Sequence, residues 1–222
     1  FWIAVIPAFL SVAVLVGGVK EPATVRAHRA ARLPLNRADM ARLGAPYWSV
    51  VWIAAVFTLA RFSEAFLLLR AAEFGVPLHL TPLVLVLMAG AFAVSSYPVG
   101  ALSDRMDRTR LLMTGMALLV AADLALAFAP NTLVAAAGVI LWGLHMGFTQ
   151  GTIAALVADV SPADLRGTAF GVLNLVTGVA LLVASVAAGI LWDGFGSSAS
   201  FLAGAAFALA ALLGLLVVRR AR

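Results

Sequence analysis

Apolar runs of about 20 residues alternate with short polar stretches along this chain, and runs of that length predict bilayer-spanning helices. Seven stand out: 1–19, 49–69, 81–99, 111–129, 133–157, 169–191 and 199–218. Strands of a membrane barrel would be nearer 10 residues and alternate in polarity. These runs are long and continuously apolar, and the glycines and prolines inside them are tolerated by membrane helices. The pattern therefore predicts an all-α integral membrane protein with seven transmembrane helices.

The stretches between the runs differ in charge. The first, 20–48, carries Lys20, Arg26, Arg29, Arg32, Arg37 and Arg42. The third, 100–110, carries Arg105, Arg108 and Arg110, the fifth carries Arg166, and the tail carries Arg219, Arg220 and Arg222. Thirteen of fifteen basic residues thus fall on alternate connections, leaving Arg70 on the other side and Arg61 inside a run. Short connections rich in Lys and Arg face the cytoplasm. The rule puts the 20–48 linker, the 100–110 and 158–168 loops and the carboxy terminus there, and it requires six helices after the linker. The expected location is the cytoplasmic (inner) membrane of a bacterium. The linker itself is polar and basic, suited to lie on an anionic lipid surface. The 1–19 run lacks a basic n-region and a small-residue cleavage site, so it reads as a membrane helix rather than a secretory signal.

Composition narrows the chemistry. Of the 222 residues, 64% are hydrophobic and 11% charged, and mean hydropathy is +1.07. A soluble domain carries about 25% charged residues. Cysteine is absent and the three histidines, His28, His79 and His145, lie far apart, which leaves no thiolate or clustered metal site. No hydrolase triad, phosphate loop or dinucleotide fingerprint is visible, so the chain is not expected to be an enzyme or to need a cofactor. Its positive charge is spent on topology, and nucleic acid is not an expected partner.

The loop Gly100-Ala101-Leu102-Ser103-Asp104-Arg105-Met106-Asp107-Arg108-Thr109-Arg110 resembles the cytoplasmic signature loop of the major facilitator superfamily, G-x-L-[SA]-D-R-x-G-R-[RK]. It matches at Gly100, Leu102, Ser103, Asp104, Arg105 and Arg108, and departs at Asp107 and Thr109. Ser161-Pro162-Ala163-Asp164-Leu165-Arg166-Gly167 is similar to the family's loop between its tenth and eleventh helices. The resemblance implies that 1–19 is the last helix of an amino-terminal half, 20–48 the central linker, and 49–222 a carboxy-terminal six-helix half of two inverted three-helix repeats, 49–129 and 133–218. It also implies a missing amino-terminal half as partner. By resemblance, Arg108 should pair with Asp159, and Gly100, Asp104, Arg105, Arg108, Asp159 and Arg166 would form a cytoplasmic gate. Gly100 is expected to let two helices approach closely.

Ionisable groups inside a membrane cost about 2.5–3.5 kcal/mol each on insertion scales and need a reason. Arg61 and Glu64, three apart in the 49–69 run, would share a helix face, either neutralising each other or lining a cavity. Arg70 and Glu73 read as a solvated pair, and Asp123 as water-exposed near a helix end. His145, Gln150 and Asn174 complete the candidate cavity set, His145 as a hydrogen-bonded histidine or a proton carrier. Small residues along 169–191 and 199–218 suit close helix packing. The expected function is secondary active transport of a small molecule by alternating access, coupled to a proton or ion, with efflux favoured over uptake. The expected partners are the solute, a coupling proton and the bilayer. The competing readings are a transporter-like sensor or assembly module and a seven-helix receptor.

Overall fold

The computed structural model describes residues 2–18 and 37–220. The basic stretch 20–36 and Arg222 therefore lie outside the described residues. The chain divides into two compact units, Phe1–Asn36 and Arg37–Arg222. In the first, α1 (Trp2–Gly18) is a single apolar helix containing Pro7. The second unit is all-helical among its described residues: α2 (Arg37–Arg42), α3 (Gly44–Leu59), α4 (Ala65–Glu73), α5 (Pro82–Ser103), α6 (Arg108–Ala127), α7 (Thr132–Val160), α8 (Arg166–Phe195) and α9 (Ser197–Arg220), with a 3₁₀ turn at Ala163–Leu165. The five helices from α5 to α9 are long and apolar enough to cross a membrane, and α3 is a shorter apolar helix.

Local chemistry sets several boundaries. Asp107 caps α6 by accepting from Thr109 N at 2.9 Å, and Asn131 caps α7 by accepting from Val134 N at 3.0 Å. Pro82 occupies the first turn of α5, where a missing N–H costs nothing. Gly196, at φ 86°, turns the chain sharply between α8 and α9.

Helix α7 runs through the middle of the unit, against α5 on one side and α6 on another; α9 packs on α6, α3 and α8. Glycines allow these approaches. A Cβ on Gly143 would run into the Met88 carbonyl, one on Gly147 into Ser95 Oγ, and one on Gly138 would stand 2.7 Å from Leu126. In hydrocarbon there is no hydrophobic drive between helices, so such backbone-to-backbone fit has to supply the attraction. Of the glycines expected to serve this purpose, Gly204 does, with Phe62 and Ala60 O close about it, and several others do not. Around Gly100, Gly171 and Gly178 an added Cβ would meet nothing within 4 Å, and Gly100 and Gly178 border cavities instead.

The largest departure from the sequence pattern is the 49–69 run. It is not one helix: α3 ends at Leu59 and α4 starts at Ala65. The first half also starts earlier than expected, at Gly44. Between the halves, Ala60 N and Arg61 N make tight bonds back to Phe57 O and Thr58 O. Ser63 N instead donates to Ser185 Oγ of α8 at 3.1 Å, and Ser63 Oγ accepts from Ala65 N. A helix can break at membrane depth where other helices satisfy the freed backbone and a cavity lies beside it.

One end of the unit is tied by ion pairs. Arg108 pairs with Asp159, Arg219 with Asp107 (3.4 Å) and Arg42 with Asp164 (2.7 Å). Asp107, where the loop departs from the family pattern, thus has two tasks: it caps α6 and holds the α9 end. The Arg42 guanidinium holds the Asp164 carboxyl below its ordinary range, and the carboxylate raises Arg42 in return. Beneath them, Leu43 and Tyr47 bury against Val157, Leu165 and Ala169, with Tyr47 Oη donating to Ala169 O at 2.9 Å. At the opposite end Arg70 donates to Glu73, Ser197 Oγ and Leu126 O, so the pair expected to be merely solvated also pins α4 to α6 and α9.

Candidate functional site

The break at residues 60–64 puts charge beside open space. Arg61, Gln150 and Asn174 line a cavity of about 350 Å³ together with Thr58 and Thr177. An adjoining cavity of about 600 Å³ is lined by Arg61, Phe62, Ser63, Glu64, Trp142 and Ser185. Arg61 belongs to both. Four elements supply the walls: the end of α3, the break, α7 and α8.

Arg61 and Glu64 are not on one helical face, since neither is in a helix. Among the described residues no carboxylate lies within ion-pair distance of Arg61, and its Nε is buried without a partner. Glu64 faces the same cavity as Arg61 without closing an ion pair on it. A guanidinium left unpaired at this depth is a donor set waiting for acceptors.

The remaining lining groups divide by role. Thr58 Oγ1 donates to Ala54 O and Thr177 Oγ1 to Leu173 O, so towards the cavity both hydroxyls present lone pairs. Gln150 and Asn174 are exposed, with amides free to donate and accept. Trp142 contributes a ring that is otherwise buried. The site can therefore grip a small polar solute from several directions, in an otherwise apolar bundle. That is the usual make-up of a solute pocket: mostly apolar walls and a few placed polar groups.

His145 is elsewhere. It is wholly buried, its ring packed edge-on against Phe57 and Trp142 at 6.3 and 5.5 Å, and neither ring nitrogen has a hydrogen-bond partner. It does not line either cavity, because α7 turns that face inward and offers Gln150 to the opening. Its i+4 neighbour Thr149 is buried with it, donating to His145 O. Asp123, expected to be water-exposed, is 0% exposed, because α9 and the break cover the outer part of α6.

The loop residues are only partly gathered. Arg108 and Asp159 pair across the α6 and α7 ends. Asp104, Arg105 and Arg166 are exposed and close no ion pair among the described residues, and Gly100 opens onto a separate cavity of about 290 Å³ with Ser96, Ser103, Gly147 and Gln150. Sequence reasoning overlooked Ser63 and Ser185. Ser185 resembled one more small packing residue; the signal that could have found it was a serine beside Arg61 and Glu64, also in an apolar run, with its own backbone to satisfy.

Comparison with known proteins identifies the family. Residues 51–222 match the family model described as Major Facilitator Superfamily. The chain is 32% identical over 174 residues to an uncharacterized MFS-type transporter of Methanocaldococcus jannaschii, covering 76% of this chain and 44% of that one. It is 31% identical over 192 residues to a protein of Mannheimia succiniciproducens named "probable sugar efflux transporter", covering 83% and 47%. It is also 31% identical over 112 residues to the galactose-proton symporter of Escherichia coli, covering 50% and 24%. The chain thus spans less than half the length of each of these relatives.

Proposed function

Because the chain belongs to the Major Facilitator Superfamily, we propose that its second unit is the carboxy-terminal half of a secondary transporter. Its solute site lies at the broken helix between α3 and α4. The observation that carries this reading is the unpaired Arg61 at the edge of two polar cavities inside an apolar bundle. Residues 1–19 are the last helix of the other half, and the linker that joins the two ends before α3, which starts at Gly44 rather than at 49. The exposed apolar faces of α5 (Leu83, Val86, Val94) and α8 (Val179, Leu182, Val186) give that half a surface to pack on. The end tied by ion pairs faces the cytoplasm, a reading supported by the distribution of basic residues.

The solute is small and polar. Arg61, Gln150 and Asn174 supply donors, and Thr58 and Thr177 supply acceptors, a set suited to hydroxyl-rich molecules such as those named for two of the relatives. Glu64, on the cavity wall without a bonded partner among the described residues, carries the coupling proton. The membrane is that of a bacterial cell. Radiolabelled galactose and glucose, offered to proteoliposomes of the whole transporter under an imposed proton gradient, test this. Glu64→Gln should still exchange the labelled sugar but no longer accumulate it; full accumulation in that variant discards Glu64 as the carrier.

Arg108–Asp159 and Asp107–Arg219 hold the cytoplasmic end shut, and alternating access requires them to part. Asp159→Asn should leave membrane insertion intact and lower the rate of sugar exchange several-fold. Its lost contact is surface-exposed, worth about 1 kcal/mol or less. An unchanged exchange rate removes the gating role.

A further inference from the structure

Asp123 does not line either cavity beside the break, yet it is a buried charge-bearing group with nothing to hold it. It is 0% exposed, and both carboxylate oxygens lack a hydrogen-bond partner. Its surroundings are apolar: the buried Leu119, Ala122 and Leu126 flank it on its own helix, and Phe62 shares its notch at Gly204. Opposite stands Gly204 of α9, whose missing side chain leaves room for the carboxyl. A Cβ built on Gly204 would be 2.7 Å from Asp123 Oδ2, 3.1 Å from the Phe62 ring and 3.2 Å from Ala60 O. The acid, the ring and a carbonyl of the helix break therefore share one notch.

The charged and titratable groups of the neighbouring elements are engaged or turned elsewhere. On α6, Arg108 is paired with Asp159 of α7 at the tied end, and Arg219 of α9 with Asp107. On α4, Arg70 is held by Glu73, Ser197 and Leu126 O. Arg61 and Glu64 line the cavities, and His145 of α7 packs against Phe57 and Trp142. No donor reaches Asp123. A bare carboxylate so placed would cost several kcal/mol of lost hydration, so the neutral acid is the form that fits.

Phe62 decides when that changes. One side of its ring closes the notch, and the residue also lines the 600 Å³ cavity. It packs edge-on against Phe66 and Phe201 and tilted on Trp142, with centroids 5.2, 5.5 and 5.4 Å away. It belongs to the break, where Ser63 N is held by the Ser185 side chain of α8, so movement of α4 against α3 carries it along.

We propose that Asp123 is a proton-binding site, charged and discharged through Phe62 as the broken helix moves. In the conformation described, the carboxyl holds its proton. When Phe62 withdraws, water from the cavity reaches the notch. The O–H bond breaks, its electron pair stays on the carboxylate, and the proton leaves on that water. Return of the ring requires the proton back. This site is separate from Glu64 and couples proton binding to the break itself.

Infrared spectroscopy of the whole transporter in liposomes tests the site without a transported solute, so its outcome is independent of the solute reading above. The expected result at neutral pH is a protonated-carboxyl carbonyl band that is lost in Asp123→Asn and shifted in Asp123→Glu, a second variant that retains the acid should the first fail to fold. In Phe62→Ala, transfer into heavy water should shift that band faster than in the unsubstituted protein. Absence of any protonated-carboxyl band sensitive to residue 123 overturns the proton site. A band that exchanges no faster in Phe62→Ala overturns the part given to Phe62.

Discussion

Replacing Gly143 with alanine is expected to cost the transporter about 3 kcal/mol of stability, the upper end for overpacking a tight site. The reason is the identity of what the new methyl would meet. A flexible side-chain tip could rotate away, but the nearest atom at Gly143 is the Met88 carbonyl oxygen, backbone of α5 that moves only if the whole helix shifts. The next nearest is the Ala91 side chain, on the same turn. Separating α5 from α7 would also open the Gly147 contact with Ser95, one turn further along. Gly178→Ala on α8 is the control, because nothing lies within 4 Å of its added Cβ. Thermal unfolding of the purified protein in detergent should show a clear drop for Gly143→Ala and none for Gly178→Ala. Equal melting temperatures would mean that α5 and α7 do not pack as described.

Arg61→Gln is expected to raise the half-saturation concentration for the carried sugar by about 10- to 100-fold, the equivalent of roughly 1.5–3 kcal/mol for hydrogen bonds from a charged donor. Arg61 is the one cation shared by both cavities, and among the described residues no carboxylate closes an ion pair on it, Glu64 on the same wall included. Its planar fork offers two parallel donors to a pair of hydroxyl or carboxylate oxygens, which a lysine cannot reproduce, so Arg61→Lys should recover little. Initial rates of sugar exchange measured against concentration separate the two readings. If Arg61 only serves the fold, melting temperature falls and the half-saturation concentration stays put. If it binds solute, the reverse holds.

The parts legible in the sequence are those that depend on one segment at a time. Apolar runs gave the long helices because spanning a bilayer is a property of length and composition alone. The Arg108–Asp159 pair followed from the resemblance of a contiguous loop, and the structure contains it. What escaped depends on two segments meeting. The break at 60–64 occurs inside a run of 21 residues, because Ser185 of α8 receives the Ser63 N–H; nothing within 49–69 announces that acceptor. Asp123 looked exposed because it sits near the end of its run, and is buried because Gly204, some eighty residues later, leaves it room. His145 and Gln150 share a helix, and periodicity grouped them by polarity; packing assigned one to the core and the other to the cavity.

The central claim is that the break opens onto water inside the membrane. The sequence contains no cysteine, so single cysteines can report on it. Asn174→Cys and Gln150→Cys in the whole transporter, in membrane vesicles, should react with a membrane-impermeant maleimide, while Leu119→Cys, buried between α6 and its neighbours, should not. If Asn174→Cys and Gln150→Cys prove as unreactive as Leu119→Cys from either side of the membrane, there is no aqueous cavity at the broken helix and the account fails.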